Sequence, residues 1–233
     1  MLPIIILSGG LATRLRPITE KIPKSLIDIN GQPFIFHQLK LLQKKGFKRV
    51  HYCLGFLGEM IEEVIIKSDF INQIDITFSY DGEKLLGTGG TVKKIINILP
   101  ENFFITYGDS YLNIDYFSMQ KEFFELNING PINGLMAIYK NDNNFDKSNV
   151  IFKHDTFLYS KHNISNEMNY IDYGVSILNR SHFFEFENQE IFDLSIIYEK
   201  LSIDCRLNPY EIYNRFYEIG SLKGIDEIKN FLN

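Results

Sequence analysis

The first hundred residues alternate between short apolar runs and segments with helical periodicity. The apolar runs, which we interpret as strands, are residues 3–7, 49–54, 74–80 and 103–107. The helical segments between them are residues 34–45, 57–66 and 93–99. Strands and helices that alternate in this way form a mostly parallel sheet covered by helices. The sequence therefore predicts an α/β fold with a Rossmann-like, doubly wound sheet.

A glycine-rich and basic loop follows the first predicted strand. Gly9 and Gly10 end the apolar run, and four cations follow within a short stretch: Arg14, Arg16, Lys21 and Lys24. Glycine lets backbone N–H groups approach a phosphate closely, and several cations offset the charge of two phosphorylated substrates. The loop matches neither the Walker motif nor the dinucleotide fingerprint. From the residues alone, a phosphate-binding loop and an ordinary turn with solvated basic side chains are equally open.

Polar loops follow the carboxyl ends of all four predicted strands. Ligands of open α/β sheets bind beyond these ends. The topology therefore predicts that four segments converge there: residues 8–16, Gly55, residues 81–90 and Gly108–Asp109. In this position Asp109 could hold Mg²⁺, although an Asp after a strand is also a common turn or cap residue.

The turn Gly87–Gly90 opens a predicted helix. A helix N-terminus attracts anions, which favours a phosphate or nucleotide there. The alternative is a local cap, in which Thr88 or Thr91 bonds a free backbone amide.

Composition limits the partners of this chain. Its 233 residues are 45% hydrophobic, which is enough for one domain, with a nucleotide-binding half over residues 1–112 and a substrate-binding half over residues 113–233. The net charge of −5 argues against nucleic acid or an anionic membrane as the main partner. Two cysteines and no long apolar stretch indicate a reducing, cytoplasmic location. The sequence leaves open whether the chain forms a homodimer.

The second half has a different pattern. We predict helices over residues 114–126, 192–201 and 222–232. We predict strands over residues 135–139, 149–153, 157–159, 171–175 and 210–219.

Two segments of the loop, Gly9–Leu15 and Pro23–Leu26, resemble the G-G-x-G-T-R-L…P-K motif of the sugar-1-phosphate nucleotidyltransferases. Members of this family join a nucleoside triphosphate to a sugar 1-phosphate and release pyrophosphate. Ala12 stands where the family usually has glycine. If that position requires a positive φ, Ala12 is strained.

Four further segments extend the resemblance. Residues 86–90 are similar to the family's L-G-T-(A/G)-G motif, and Gly108–Asp109 to its magnesium-binding G-D motif. Residues 171–175 resemble the sugar-binding N-A-G-(I/V) strand, with Asp172 and Tyr173 in place of Asn and Ala. Residues 216–221 resemble Y-x-D-I-G-T, with Glu218 in place of the second metal-binding Asp. Glu is one methylene longer, so it keeps the metal only if the backbone sits back or a water intervenes.

The resemblance implies a set of site residues. The catalytic residues would be Arg14, Lys24 and Asp109. Nucleotide binding would involve Leu7, Ser8, Gly9, Gly10, Thr13, Arg14, Gly87 and Thr88. The sugar phosphate would contact Tyr107, Gly108, Lys161, Asp172, Tyr173 and Gly174, with a solvated surface lysine as the alternative for Lys161. The cofactor would be Mg²⁺ on Asp109 and Glu218.

Within the family, the chain is most similar to the D-glycero-D-manno-heptose 1-phosphate guanylyltransferases, which implies GTP and a heptose 1-phosphate as substrates. Two alternatives stay open. One is a cytidylyltransferase that acts on a non-sugar phosphate, and the other is a nucleotide-binding regulatory module without turnover. Ala12 and Glu218 are the departures that favour the regulatory module.

Overall fold

The computed structural model describes residues 1–131, 133–154 and 156–233. Its strands are β1 (Ile4–Ser8), β2 (Asp28–Ile29), β3 (Gln32–Pro33), β4 (Arg49–Leu54), β5 (Asp75–Tyr80), β6 (Asn102–Tyr107), β7 (Ser110–Tyr111), β8 (Gly134–Lys140), β9 (Val150–Lys153), β10 (Thr156–Tyr159), β11 (Tyr170–Asn179), β12 (Leu207–Ile212) and β13 (Tyr217–Glu218). Its α-helices are α1 (Phe34–Lys44), α2 (Gly58–Ile66), α3 (Gly87–Lys94), α4 (Tyr116–Leu126), α5 (Leu194–Ile203) and α6 (Leu222–Phe231). Short 3-10 helices cover Thr13–Leu15, Ile18–Glu20, Lys24–Leu26, Asp69–Asn72 and Arg180–Phe186.

Most predicted elements of the first half are confirmed. Strand β4 has the predicted bounds, β5 and β6 differ from theirs by one residue at one end, and β1 is shifted by one residue toward the C-terminus. Helix α1 buries the predicted apolar side chains, which are Phe34, Ile35, Leu39, Leu41 and Leu42. The predicted fold class, α/β with a mostly parallel central sheet, is therefore confirmed.

Two predicted elements are wrong. The helix predicted over residues 93–99 is α3, which begins at Gly87 and ends at Lys94. Glycine fits at positions 87, 89 and 90 because Phe192 and Glu190 lie too close for larger side chains. The strand predicted over residues 210–219 is two strands: β12 ends at Ile212, and β13 begins at Tyr217.

The chain forms two compact units. The first consists of Met1–Leu85, Thr106–Asn113 and Phe216–Asn233, and the second of Leu86–Ile105 and Ile114–Arg215. Strand β6 therefore has residues in both units. The predicted division of a single domain at residue 112 stays a prediction, and the observed units group the C-terminal segment with the N-terminal one.

The first unit contains a parallel sheet. Strand β4 lies between β1 and β5 and pairs in parallel with both, with Leu7 opposite Cys53 and Cys53 opposite Ser79. The branched apolar residues Ile4, Ile5 and Ile6 of β1 are almost fully buried. This burial is what a central strand covered on both faces requires. A second cluster of buried side chains joins the loop after β1 to α1 and α6, and its members are Leu15, Ile27, Ile29, Phe34, Ile219, Ile225 and Ile228.

The second unit has mixed strand pairing. Strand β8 pairs antiparallel with β11 and parallel with β12, while β9 and β10 form an antiparallel hairpin. The register of β11 against β8 shifts between Asp172 and Ser176, where Gly174 has φ +95°. The described helices of both units include none that is long and apolar enough to cross a membrane.

Candidate active site

The carboxyl ends of the strands in the first unit meet through their backbones. A Cβ added to Gly9 would lie 3.3 Å from the backbone nitrogen of Gly55, which explains the need for glycine at this close approach. Gly108 donates its N–H to the carbonyl of Leu7 at 2.9 Å, and Asp81 donates its N–H to the carbonyl of Leu54 at the same distance. The convergence predicted for these segments is therefore observed within the first unit. Gly87–Gly90 belongs to the second unit and is described there.

The loop after β1 has a left-handed residue at the family's glycine position. Ala12 has φ 47° and ψ 43°, a conformation that L-residues other than Asn and Asp seldom adopt. Its carbonyl accepts hydrogen bonds from Thr19 Oγ1 at 2.8 Å and from the N–H of Leu15 at 3.1 Å. Leu15 is buried and anchors the loop. The position does have a positive φ, so Ala12 is strained there as an L-residue with a Cβ.

The exposed side of this loop carries the first candidate cation. Arg14 is exposed in the 3-10 helix Thr13–Leu15 and makes no ion pair with any residue that the structure describes. Gly10 is also exposed, and a Cβ added there would contact nothing within 4 Å. A guanidinium beside an open backbone can receive an anion.

Lys24 and Asp109 form an ion pair although 85 residues separate them. Lys24 Nζ donates to Asp109 Oδ2 at 2.7 Å, and the two side chains are 24% and 29% exposed. Lys24 opens the 3-10 helix that follows Pro23, and Asp109 lies two residues after the end of β6. The structure therefore brings together two residues that the resemblance assigns to catalysis.

Glu218 joins this pair from the C-terminal segment. Strand β13 pairs with β7, which places Glu218 opposite Ser110, and Ile219 donates its N–H to the carbonyl of Asp109 at 3.0 Å. Burial raises the pKa of Glu218 and the negative charge of Asp109 raises it further, while hydrogen bonds and Lys24 oppose both effects. Lys24, Asp109 and Glu218 are called the Lys24 cluster below.

The carboxylates of the Lys24 cluster suit a hard divalent cation. Glu218 accepts hydrogen bonds from the N–H of Gly220 and from Ser221 Oγ, the latter at 3.1 Å, so each of its carboxylate oxygens is held by one bond and keeps a lone pair for a cation. The described residues contain no group of three or more Asp, Glu, His or Cys side chains arranged to hold a metal. Two carboxylates leave most of an octahedral shell to phosphate oxygens and water, which is the usual arrangement for Mg²⁺. The mutual repulsion of the two carboxylates is a further feature that a cation would relieve.

In the second unit, the turn Gly87–Gly90 is bonded to the segment before α5. Gly89 and Gly90 both donate their N–H groups to the carbonyl of Phe192, at 2.9 and 3.1 Å. A Cβ on Gly90 would lie 2.3 Å from the carbonyl oxygen of Glu190. Thr88 Oγ1 accepts from the N–H of Leu194 at 2.8 Å, so the threonine caps α5 rather than α3.

Lys161 has a carboxylate partner that the sequence analysis did not include. Its Nζ donates to Asp193 Oδ2 at 3.1 Å, and the two side chains are 49% and 44% exposed. Thr88 Oγ1 donates to the other oxygen of Asp193 at 3.4 Å. Desolvation acts to raise the pKa of Asp193, but the bonds and charge of Lys161 and the bonds from Thr88 outweigh it and lower this pKa. Thr88, Lys161 and Asp193 are called the Lys161 cluster.

A sequence signal for Asp193 exists. Asp directly before an apolar helical pattern is typical of an N-cap, and Asp193 holds that position in front of Leu194. The prediction of a helix from residue 192 places this residue inside the helix and so misses it.

The three candidate sugar-binding residues of β11 differ in accessibility. Asp172 is half-buried, and its Oδ1 accepts from the N–H of Gly174 at 2.9 Å. Burial raises the pKa of Asp172 to about 6. Tyr173 is 2% exposed and its ring lies 6.4 Å from that of Tyr139. The side chain of Tyr173 is therefore part of the core, and only its backbone is left to contact a ligand.

Four other predicted site residues lie at or just after the carboxyl ends of β1 and β6, and Thr13 opens the 3-10 helix Thr13–Leu15. The carbonyl of Tyr107 accepts from Gln38 Nε2 at 2.9 Å. Ser8 Oγ lies where a Cβ on Gly108 would be, and among the described residues this buried hydroxyl has no hydrogen-bond partner. Leu7 is buried, so its backbone alone can take part in binding.

A parallel α/β unit with a glycine loop and a Lys–Asp pair beyond its strands agrees with the nucleotide-diphospho-sugar transferase fold. The chain matches the Nucleotidyl transferase family over residues 4–145. It is 30% identical to the D-glycero-alpha-D-manno-heptose 1-phosphate guanylyltransferase of Campylobacter jejuni subsp. jejuni, over 223 residues that cover 93% of each chain. The chain therefore belongs to the nucleotidyl transferase family, and the prediction that it is a nucleotidyltransferase is confirmed.

Two further proteins are similar to this chain, one in sequence and one in structure. A D-glycero-alpha-D-manno-heptose 1-phosphate guanylyltransferase of Aneurinibacillus thermoaerophilus is 29% identical over 203 residues, 86% of this chain and 80% of that protein. The crystal structure of HddC from Yersinia pseudotuberculosis complexed with GMP-PN superposes with a TM-score of 0.78 at 22% identity, over all of both chains. At this identity the structural match supports the fold.

Proposed function

We propose that this enzyme joins GTP to a heptose 1-phosphate, giving a nucleoside-diphosphate sugar and pyrophosphate. The observation that carries the proposal is the contact between Lys24 and Asp109 at 2.7 Å beside the glycine loop. The substrates are those named for the C. jejuni and A. thermoaerophilus relatives. Both of these relatives are matched over most of their length, which supports a shared activity.

The proposed reaction is a displacement at the α-phosphorus of the triphosphate. An oxygen of the sugar phosphate forms a new bond to this phosphorus. The bond from the phosphorus to the oxygen that bridges to the β-phosphate breaks, and pyrophosphate leaves with the electron pair. The attacking oxygen is already anionic near neutral pH, so the step needs charge stabilisation and positioning rather than a general base.

The first unit supplies the residues for the triphosphate in this proposal. Backbone N–H groups at Gly9 and Gly10 would bind phosphate oxygens, since a glycine backbone can approach them closely. Arg14 and Lys24 would offset the negative charge that accumulates as pyrophosphate leaves.

The proposed cofactor is Mg²⁺, held by Asp109 and Glu218. The nucleotidyl transferase family generally uses a divalent metal. When bound, the cation would neutralise phosphate charge and favour departure of pyrophosphate. Lys24 is placed to hold Asp109 in a fixed rotamer by its hydrogen bond to Oδ2.

The second unit supplies the residues for the sugar phosphate in this proposal. Lys161 would bind the phosphate, and Asp172 with the backbone of Tyr173 and Gly174 would bind hydroxyl groups. A half-buried carboxylate that already accepts one backbone hydrogen bond can accept another from a sugar hydroxyl.

A pyrophosphate-release assay tests the proposal. The purified chain is given each of four nucleoside triphosphates with mannose, glucose or heptose 1-phosphate and with phosphocholine, in the presence of Mg²⁺. We expect the highest kcat/KM for GTP with heptose 1-phosphate. A preference for CTP with phosphocholine would show instead that the chain is a cytidylyltransferase. No pyrophosphate release with any pair would reject the proposed catalytic activity. The cytoplasmic location and the homodimer stay predictions.

A further inference from the structure

Asp193 holds an N-cap position but does not cap its own helix. An N-cap Asp ordinarily accepts from a backbone N–H in the first turn, which stabilises the helix. In α5 the side chain of Asp193 makes no such bond, and Thr88 Oγ1 accepts from Leu194 instead. The carboxylate of Asp193 is therefore free of its usual role and bonds outward, to Lys161 and Thr88.

The backbone of Asp193 is fixed by its neighbours on both sides. Phe192 donates its N–H to the carbonyl of Leu86 at 3.0 Å, and its own carbonyl accepts from Gly89 and Gly90. A Cβ on Gly87 would lie 2.6 Å from that carbonyl oxygen, so the turn fits the segment closely. The position of the Asp193 carboxylate therefore follows that of the Gly87–Gly90 turn.

Helix α5 also holds the backbone of Lys161. Glu199 Oε1 accepts from the N–H of Lys161 at 2.9 Å and from Ser160 Oγ at 3.0 Å. One helix thus contacts Lys161 at its main chain through Glu199 and at its ammonium group through Asp193. A lysine with four rotatable side-chain bonds loses much of its freedom when both ends are held.

We propose that Asp193 is a positioning residue, which fixes the ammonium group of Lys161 for the sugar phosphate and joins it to the Thr88 turn. This inference rests on the proposed function, because it takes Lys161 as the ligand of the phosphate. One N–H of the ammonium is used by Asp193 and two are left for phosphate oxygens. Since both side chains are about half exposed, the pair contributes little to folding, and its value lies in orientation.

The substitution Asp193→Asn tests this role. Asparagine keeps the size of the side chain and an acceptor for Thr88 but loses the charge that holds Lys161. We expect KM for the sugar phosphate to rise about tenfold, with kcat and KM for the nucleotide changed less than about twofold. The matched control is Asp204→Asn at the other end of α5, because Asp204 pairs with Lys200 at 2.9 Å at a similar exposure. The control should leave both KM values unchanged.

The same substitution in a Lys161→Gln background separates positioning from a general structural effect. If Asp193 acts through Lys161, Asp193→Asn adds no further rise in KM there. An equal rise in both backgrounds, an unchanged KM, or a lower KM in the single variant would each overturn the inference.

A binding measurement, which does not depend on turnover, separates failure of the proposed function from failure of this inference. Calorimetric binding of the sugar 1-phosphate to the unmodified chain and to Asp193→Asn should show the same tenfold loss of affinity. An unmodified chain that neither turns over nor binds any sugar 1-phosphate rejects the proposed function and this inference together. An active chain whose Asp193→Asn variant behaves like Asp204→Asn rejects this inference alone.

Discussion

The two units each contain a lysine that donates to an aspartate, and the pairs differ in their surroundings. In the first unit Lys24 and Asp109 lie 2.7 Å apart and are about a quarter exposed. In the second, Lys161 and Asp193 lie 3.1 Å apart and are nearly half exposed. Lys24 and Asp109 have Glu218 as a further charge, whereas Lys161 and Asp193 have the neutral hydroxyl of Thr88.

This difference shows how one pair of residue types can have two uses. Partial burial strengthens the electrostatic interaction of the Lys24 cluster, and its two carboxylates leave room for a cation. The Lys161 cluster is more open to solvent, and the ammonium group of Lys161 keeps two N–H donors beside the one that Asp193 accepts, which suits the binding of an anion. We therefore expect loss of charge in the first cluster to reduce catalysis, and loss of charge in the second to weaken substrate binding.

Replacement of Lys24 should have the largest effect on turnover among the lysines. Lys24→Gln removes a positive charge beside the reacting phosphates, and we expect kcat/KM to fall by about 10²–10³-fold. Steady-state pyrophosphate release measures this change. Lys21→Gln is the control, because Lys21 lies three residues earlier in the same loop, is exposed and pairs with no residue in the described ranges. Equal losses in the two variants would mean that net loop charge, rather than the Lys24 cluster, supports catalysis.

Replacement of Lys161 should act on one substrate. Lys161→Gln removes the proposed phosphate ligand, so KM for the sugar phosphate should rise about 10- to 30-fold while KM for the nucleotide stays nearly constant. Lys200→Gln on α5 serves for comparison, since Lys200 also pairs with carboxylates at the surface. If the nucleotide KM changes instead, the assignment of the second cluster to the sugar side is wrong.

Asp172 should make stability depend on pH. The pKa of its carboxyl is about 6 in the folded chain, above the ordinary value of 3.8. Between pH 4 and 6 the folded chain therefore binds more protons than the unfolded chain does. The free energy of unfolding therefore falls as pH rises through this window. Asp172→Asn keeps the acceptor for Gly174 and removes the buried charge, and we expect a gain on the order of 1–2 kcal/mol at pH 7.5.

Urea unfolding at two pH values measures this gain. At pH 4 the two chains should have nearly equal stability, because Asp172 is then protonated in the folded state. A gain of the same size at both pH values would show that the carboxyl of Asp172 is not the titrating group.

Ala12 should give the smallest effect. Ala12→Gly restores the family's residue at φ 47° and relieves the left-handed strain, for a gain of about 0.5–1 kcal/mol in the free energy of unfolding. Ala12→Ser retains a Cβ and should give no gain. Lower stability of Ala12→Gly would mean that the added freedom of the unfolded chain outweighs the strain.

Periodicity in the sequence predicts elements that depend on local pattern. Strand β4 is predicted with its observed bounds because an apolar and aromatic run is closed by Gly55. Helix α1 follows from its buried face and from Gly46, which has φ +89° after the helix. Motif resemblance and topology together also predict that Lys24 and Asp109 lie at the same sheet edge.

Features that depend on contacts between distant segments could not be predicted. The start of α3 at Gly87 depends on the approach of the segment that contains Phe192, and no local signal carries that information. The break after Ile212 separates β12, which pairs with β8, from β13, which pairs with β7. The pairing of Lys161 with Asp193 spans 32 residues and two elements, so neither residue indicates the other.

Metal dependence of turnover in the Asp109 variant tests the central assignment most directly. Pyrophosphate release from GTP and heptose 1-phosphate is measured for the unmodified chain and for Asp109→Asn, after chelation and then across a titration of Mg²⁺. We predict that the unmodified chain loses activity on chelation and regains it with Mg²⁺, while Asp109→Asn stays at least about 10³-fold lower at every concentration. Turnover by Asp109→Asn equal to that of the unmodified chain would contradict the assignment of catalysis to the Lys24 cluster.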